Sequence, residues 1–139
     1  MPPDSAAVDA ALVAKLGADV TLLGLMPNGV YVDVAPPRST RFVIVSLLEH
    51  HDEQEFGGRA IESALYLVKA VGLSTANPDM AGAAARIDEL LDGGALTPTG
   101  FDLMAMHREE RVRITEVDDA DPSIRWYHRG GHYRVEVST

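Results

Sequence analysis

The chain of 139 residues contains no cysteine, and its only lysines are Lys15 and Lys69. Without cysteine, disulfide bonds and thiolate chemistry are excluded. No apolar run approaches the roughly 18 residues that a membrane helix needs, and the N-terminus lacks the basic and apolar segments of an export signal. We therefore expect a soluble protein that is made in a cytoplasm and has no membrane partner.

The charge balance is strongly acidic. Aspartate and glutamate outnumber lysine and arginine by 21 to 12, which gives a net charge of −9. Nucleic-acid affinity depends largely on basic side chains that displace counterions, so this balance argues against a DNA-binding module. An acidic surface past which DNA slides without being captured is compatible with it. Ten of the twelve basic residues are arginine, the basic residue that is enriched in protein interfaces.

The segment 41–48, with the sequence RFVIVSLL, is the anchor of the predicted fold. Its β-branched residues favour the extended state, and its side chains are mostly apolar on both alternating faces. A strand of this kind is usually central in a sheet and covered on both sides. The covering layers must come from elsewhere in the chain or from another chain.

Capping and periodicity signals predict the other elements. In chain order they are a helix over 5–16, a short strand over 30–34, the anchor strand, a strand within 59–71, a helix over 78–91 capped by Asn77, and strands over 111–117 and 133–137. Residues 59–71 also fit a helix, but the alternation after Tyr66 favours a strand antiparallel to 41–48. Residues 49–58 then form a long hairpin loop, unless the two strands extend into it.

These elements predict a single domain over 1–139 of the α+β class. The sheet is mostly antiparallel, and two main helices pack on one of its faces. The pair Gly130-Gly131 is interpreted as a tight turn or as a bulge inside one long strand.

The run His50-His51-Asp52-Glu53 is the best metal-like cluster in the sequence. Imidazole and carboxylate groups suit zinc and similar ions. However, neighbouring side chains of an extended segment point to opposite faces, and no third ligand stands at a recognisable spacing. A solvated interaction loop that comprises these four residues and Phe56 is therefore preferred, while a small metal- or ligand-binding enzyme that uses His50 and His51 is the alternative from a different class.

No catalytic motif stands out elsewhere. Hydrolase signatures and phosphate-binding loops are missing, so we predict no catalytic, cofactor-binding or metal-binding residues and no enzyme activity. The segment around the only tryptophan contains the residue types that dominate binding hot spots. Two interpretations of it stay open, subunit contacts or completion of the core, and they concern Arg125, Trp126, Tyr127 and Arg129.

The order and spacing of these elements resemble the tail terminator, or tail-completion, proteins of long-tailed bacteriophages. The resemblance covers nearly the whole chain. It includes the first helix, the stretch GVYVDVAP over 29–36, the strand 41–48, the helix 79–91 that ends in Leu-Asp-Gly, and the closing strands 111–117 and 132–137. The chain departs from the family over 95–106 and at Gly130-Gly131, and no single motif is specific.

The resemblance implies a structural virion protein without a cofactor. Members form a ring, expected to be hexameric, at the head-proximal end of the tail tube. The ring stops tube polymerisation and joins the tail to the head connector. The implied partners are copies of the chain, the tail tube protein and the connector or stopper protein, while genomic DNA passes the lumen without specific binding. A head-completion, stopper or adaptor protein is the nearest alternative.

Overall fold

A computed structural model describes residues 6–54 and 60–139, which form three α-helices, a short 3₁₀ turn and five β-strands. In chain order these elements are α1 (Ala6–Gly17), α2 (Val20–Leu25), β1 (Val30–Val32), β2 (Arg41–Gln54), β3 (Ala60–Leu73), the 3₁₀ turn (Ser74–Ala76), α3 (Met80–Leu91), β4 (Asp102–Val117) and β5 (Arg125–Ser138).

The strands form one sheet in the order β1-β2-β3-β5-β4. Only the pair β1–β2 is parallel, and the other three neighbouring pairs are antiparallel. The predicted α+β class with a mostly antiparallel sheet is confirmed. Residues 60–73 form a strand antiparallel to β2, as the alternation predicted, with Val45 opposite Val68.

Several strands are longer or shorter than predicted. The strand 41–48 continues through Gln54, so much of the expected loop 49–58 is paired backbone. The two closing strands begin at Asp102 and Arg125 rather than at 111 and 133. By contrast, β1 ends at Val32 because Asp33 has a left-handed φ of 61°.

The hydrophobic core lies between the helices and one face of the sheet. Tyr66, Val68, Tyr133 and Val135 alternate along β3 and β5, and each is almost fully buried. From the helices, the core receives buried side chains at helical spacing, namely Val8, Leu12, Leu16, Leu22, Met80, Ala83, Ile87 and Leu91. This alternation places every second strand side chain on the other face of the sheet, which we call the open face.

Two aspartates fix the starts of helices. Asp19 accepts a hydrogen bond from the Leu22 N–H at 2.8 Å and caps α2. Asp79, not Asn77, caps α3 by accepting from the Gly82 N–H at 2.9 Å. The predicted cap was two residues early because Asn77, with φ 50°, ends the preceding 3₁₀ turn instead. Left-handed backbone is a conformation that asparagine tolerates well.

The pair Gly130-Gly131 is neither a turn nor a bulge, which corrects both predicted interpretations. Gly130 lies opposite Lys69 and Val112, so it belongs to the continuous ladder of β5. The register shifts occur in the neighbouring strand β4, after Leu103 and after Arg108. The backbones approach closely here, since a Cβ added to Gly130 would lie 2.0 Å from the Val68 carbonyl oxygen.

We expect Gly130→Ala to lower the free energy of unfolding by about 2–3 kcal/mol, because the added methyl group overlaps backbone atoms that cannot move independently. Gly24→Ala is the matched control. Gly24 is exposed in α2 and has no atom within 4 Å of the added Cβ. This change should stabilise the chain by up to about 1 kcal/mol. Urea unfolding followed by circular dichroism measures both effects. Equal free energies of unfolding for the two variants would contradict the close approach of the Gly130 backbone to Val68.

Candidate functional site

The predicted interaction residues His50 and His51 lie in β2 rather than in a loop. They are paired with Ala64 and Ser63, and their side chains therefore project to opposite faces of the sheet. The His50 Nε2 atom lies 3.3 Å from the buried carboxylate of Glu62 on the helix side. The His51 Nε2 atom lies 3.8 Å from a Glu49 carboxylate oxygen on the open face. The two imidazoles consequently belong to different surroundings.

The other predicted residues of this segment are Asp52, Glu53 and Phe56. The backbone of Asp52 and Glu53 belongs to β2, where these residues lie opposite Glu62 and Ile61. Phe56 lies outside the described residues. A role of this segment in interactions stays a prediction.

The second predicted set is divided between the two faces of the sheet. Trp126 lies on the open face, where its ring meets Phe42 edge-on at a centroid distance of 6.3 Å. Tyr127 packs against the core on the helix side, and Arg129 lies on that side too. The backbone N–H of Arg125 donates to Ser74 Oγ at 2.9 Å. Subunit contacts through these four residues stay a prediction. They would have to involve both faces of the sheet, because Trp126 and Tyr127 lie on opposite faces.

One end of the open face forms an apolar groove of about 420 Å³. Strands β2, β3 and β5 supply its floor, and the segment 33–39 supplies a wall. Its main lining side chains are Phe42, Ile44, Val71, Trp126, His128 and Lys69. The sequence predicted that both faces of the 41–48 strand need a cover. The helices cover one face, and the segment 33–39 covers only this part of the other.

His128 and Lys69 give the groove its electrostatic character. His128 is buried, and this burial lowers its pKa, with Lys69 acting in the same direction and the neighbouring Glu116 opposing it. Burial also lowers the pKa of Lys69, which Glu116 partly offsets. Both shifts have the same cause, because a low-dielectric surrounding disfavours the charged form of a basic group.

The other end of the open face is held by a network centred on Arg134. Its guanidinium donates to Glu109 at 2.9 Å and to Glu49 at 2.9 Å, so it connects β5 with both β4 and β2. A further hydrogen bond of 3.3 Å reaches Ser63 on β3. The Arg134 guanidinium lowers the pKa of Glu109. The sequence analysis did not identify Arg134 as a site residue. Its alternation with the apolar Val135 nevertheless indicates that it faces away from the core.

The described residues contain no group of three histidine, aspartate or glutamate side chains placed to hold a metal ion. Among the helices of the described ranges, none is long and apolar enough to cross a membrane. The open face thus combines an apolar groove at one end with an ion network at the other.

Comparison with known proteins finds a likeness in structure. No protein-family model and no curated protein matches the sequence. A solved chain from the "Virion of native gene transfer agent (GTA) particle" superposes with a TM-score of 0.62 at 21% sequence identity. The match covers 97% of this chain and 97% of that chain. The two proteins therefore share a fold over their whole length.

We expect Arg134→Met to lower the free energy of unfolding by about 1 kcal/mol at pH 7, because Glu49 and Glu109 are more than a third exposed and solvent screens their attraction. The pKa of Glu109 is depressed in the folded state, so this contribution is present above the ordinary glutamate pKa. It disappears as the pH falls through the depressed value. Denaturant unfolding of both proteins at pH 7 and pH 3 measures the difference.

Arg38→Met is the control for this experiment, because Arg38 is exposed and has no carboxylate within ion-pair distance among the described residues. The free energy of unfolding of this control variant should differ from that of the unchanged chain by less than about 0.5 kcal/mol at either pH. An Arg134 effect that is equally large at pH 3 would show that packing, rather than the ion network, is responsible.

Proposed function

We propose that the chain is a structural virion protein of a tailed, phage-like particle, and that it acts as a tail terminator without enzymatic activity. The observation that carries the proposal is the fold match along the whole chain with a component of a gene transfer agent virion. The match covers 97% of each chain, so the likeness in fold extends over nearly all of both. The sequence resemblance to tail terminators gives the finer role.

The uncovered side of the sheet supports an assembling protein. Leu65 and Leu67 lie on the open face and are half-buried, outside the core that the helices cover. In a ring, such a face is covered by the neighbouring subunit, and heterologous contacts of one kind close the ring. We propose a homo-oligomer, with a hexamer as the expected form, in which this face contributes to the subunit contacts.

The charge of the chain supports a ring through which DNA passes. A net charge of −9 repels a phosphate backbone, so genomic DNA would cross the lumen without being captured. The proposed partners are the tail tube protein on one side and the head connector or stopper on the other. The segment 50–56 is the proposed contact with one of them, and His51, which is 67% exposed, is its most accessible described side chain.

The function is tested by negative-stain imaging of the purified chain, alone and mixed with tail tubes of the same particle. We expect rings, or caps at one end of each tube, and tubes of uniform length when the tube protein polymerises in the presence of the chain. When heads are added, tails capped with His51→Glu should stay unjoined.

Other outcomes of this experiment are equally informative. A ring that binds heads or isolated connector complexes and ignores tubes would replace the terminator by a head-side stopper or adaptor. A monomer that binds neither heads nor tubes would contradict the virion role itself.

The role of the open face is tested by Leu67→Asp, with Val20→Asp as the control. Leu67 faces away from the helices, whereas Val20 is 83% exposed at the start of α2. Each change puts a carboxylate on an accessible apolar position. We expect Leu67→Asp to keep the circular dichroism spectrum but to weaken ring formation at least tenfold, because burial of the charge against a neighbouring subunit is costly. Light scattering and the capping assay measure this, and equal behaviour of the two variants would exclude the open face from the contact.

A further inference from the structure

Three arginines gather on the helix side of the sheet, beside α3. Arg113 lies directly opposite Arg129 on β5, and Arg111 lies two residues along β4 on the same face. Together with Ala81, Ala84 and Ala85 of α3 they line a depression of about 250 Å³. We call Arg111, Arg113 and Arg129 the arginine cluster.

In the described part of the chain, no carboxylate neutralises the positive charge of the arginine cluster. Arg86, Arg108 and Arg134 each form an ion pair with a carboxylate, but none of the three clustered arginines does. Like charges that lie directly opposite each other destabilise a sheet. Although the chain has 21 acidic residues, no described carboxylate pairs with these three arginines. The small alanine side chains of α3 leave space beside them for another group.

The backbone beside the cluster is also available. Strand β4 is the edge of the sheet, with β5 as its only neighbour among the described strands. Its residues 111 and 113–117 are exposed, and Ile114 is 50% exposed on the face opposite the arginines. An exposed edge of this kind offers unpaired N–H and C=O groups to an incoming strand.

We infer that the β4 edge binds an extended segment of another protein in which acidic and apolar residues alternate. A strand added to β4 places every second side chain beside Arg111 and Arg113, where carboxylates accept charge-assisted hydrogen bonds from the guanidinium groups. The intervening side chains lie beside Val112 and Ile114, where apolar groups fit. The inference stands independently of the proposed virion role.

A second copy of the chain fits this edge poorly. If two β4 strands paired antiparallel about a twofold axis through the sheet, its faces would stay aligned. The arginine face of one strand would then meet the same face of the other, which carries Arg108, Arg111, Arg113, Thr115 and Val117. The opposite side of the sheet fits poorly too. Its edge strand β1 has only the three residues Val30–Val32, none of them acidic, and residues 49–54 of β2, which β1 leaves unpaired, have the sequence EHHDEQ without an apolar residue for Val112 and Ile114. The complementary pattern must therefore come from a different protein.

The test uses a fluorescein-labelled peptide with the central sequence Asp-Val-Asp-Val-Asp and fluorescence anisotropy at 150 mM salt. An acidic protein repels an acidic peptide overall, so binding can only reflect a local site. We expect saturable binding that Arg111→Gln with Arg113→Gln weakens at least tenfold, while Arg38→Gln changes it less than twofold. Arg38 is a suitable control because it lies on the open face, at the apolar groove. Hydrogen exchange of residues 110–117 should slow when the peptide binds.

Three results would overturn the inference. The first is an absence of peptide binding up to 1 mM to the folded chain, and the second is equal binding of a peptide in which lysine replaces each aspartate. The third is tighter, arginine-dependent binding of a short oligonucleotide, or arginine-dependent self-association of the chain, since either would assign the cluster to a different ligand.

Discussion

The fold depends on a mismatch of length between its strands and its helices. A strand of 14 residues, such as β3 or β5, spans roughly 46 Å, whereas a helix of 12 residues, such as α1 or α3, spans about 18 Å. Burial of Tyr66, Val68 and Tyr133 beneath the helices stabilises the middle of the sheet. The helices cannot follow the strands to their ends, so parts of the helix side and most of the open face are left for other contacts.

The uncovered surface is not uniform. Arg134 satisfies its end of the open face from within the chain, since its guanidinium finds carboxylates on the strands to either side. Within residues 6–54 and 60–139, the groove around Phe42 and Trp126 stays open, and no carboxylate pairs with the arginine cluster. An apolar surface and a charged surface on different faces of the sheet are suited to contacts with more than one protein.

Local sequence signals predicted the types of the elements well and their ends poorly. The alternation after Tyr66 identified β3, because this signal acts over a few residues. The starts of β4 and β5 were missed because pairing between long strands, rather than local propensity, holds residues 102–110 and 125–132 extended. Neither the arginine cluster nor the Arg134 network has a local signature, since each requires the register between strands that are far apart in sequence.

The position of Arg134 also has a mechanical consequence. Sliding β5 by two residues against its neighbours would keep its side chains on the same faces, but it would bring His128 or His132 to the place of Gly130, where a Cβ has no room. The guanidinium is tied to Glu49 on one side and to Glu109 on the other, and a slip in either direction would separate at least one of these pairs. The network and the close approach at Gly130 therefore both favour one register of β5 against its neighbours.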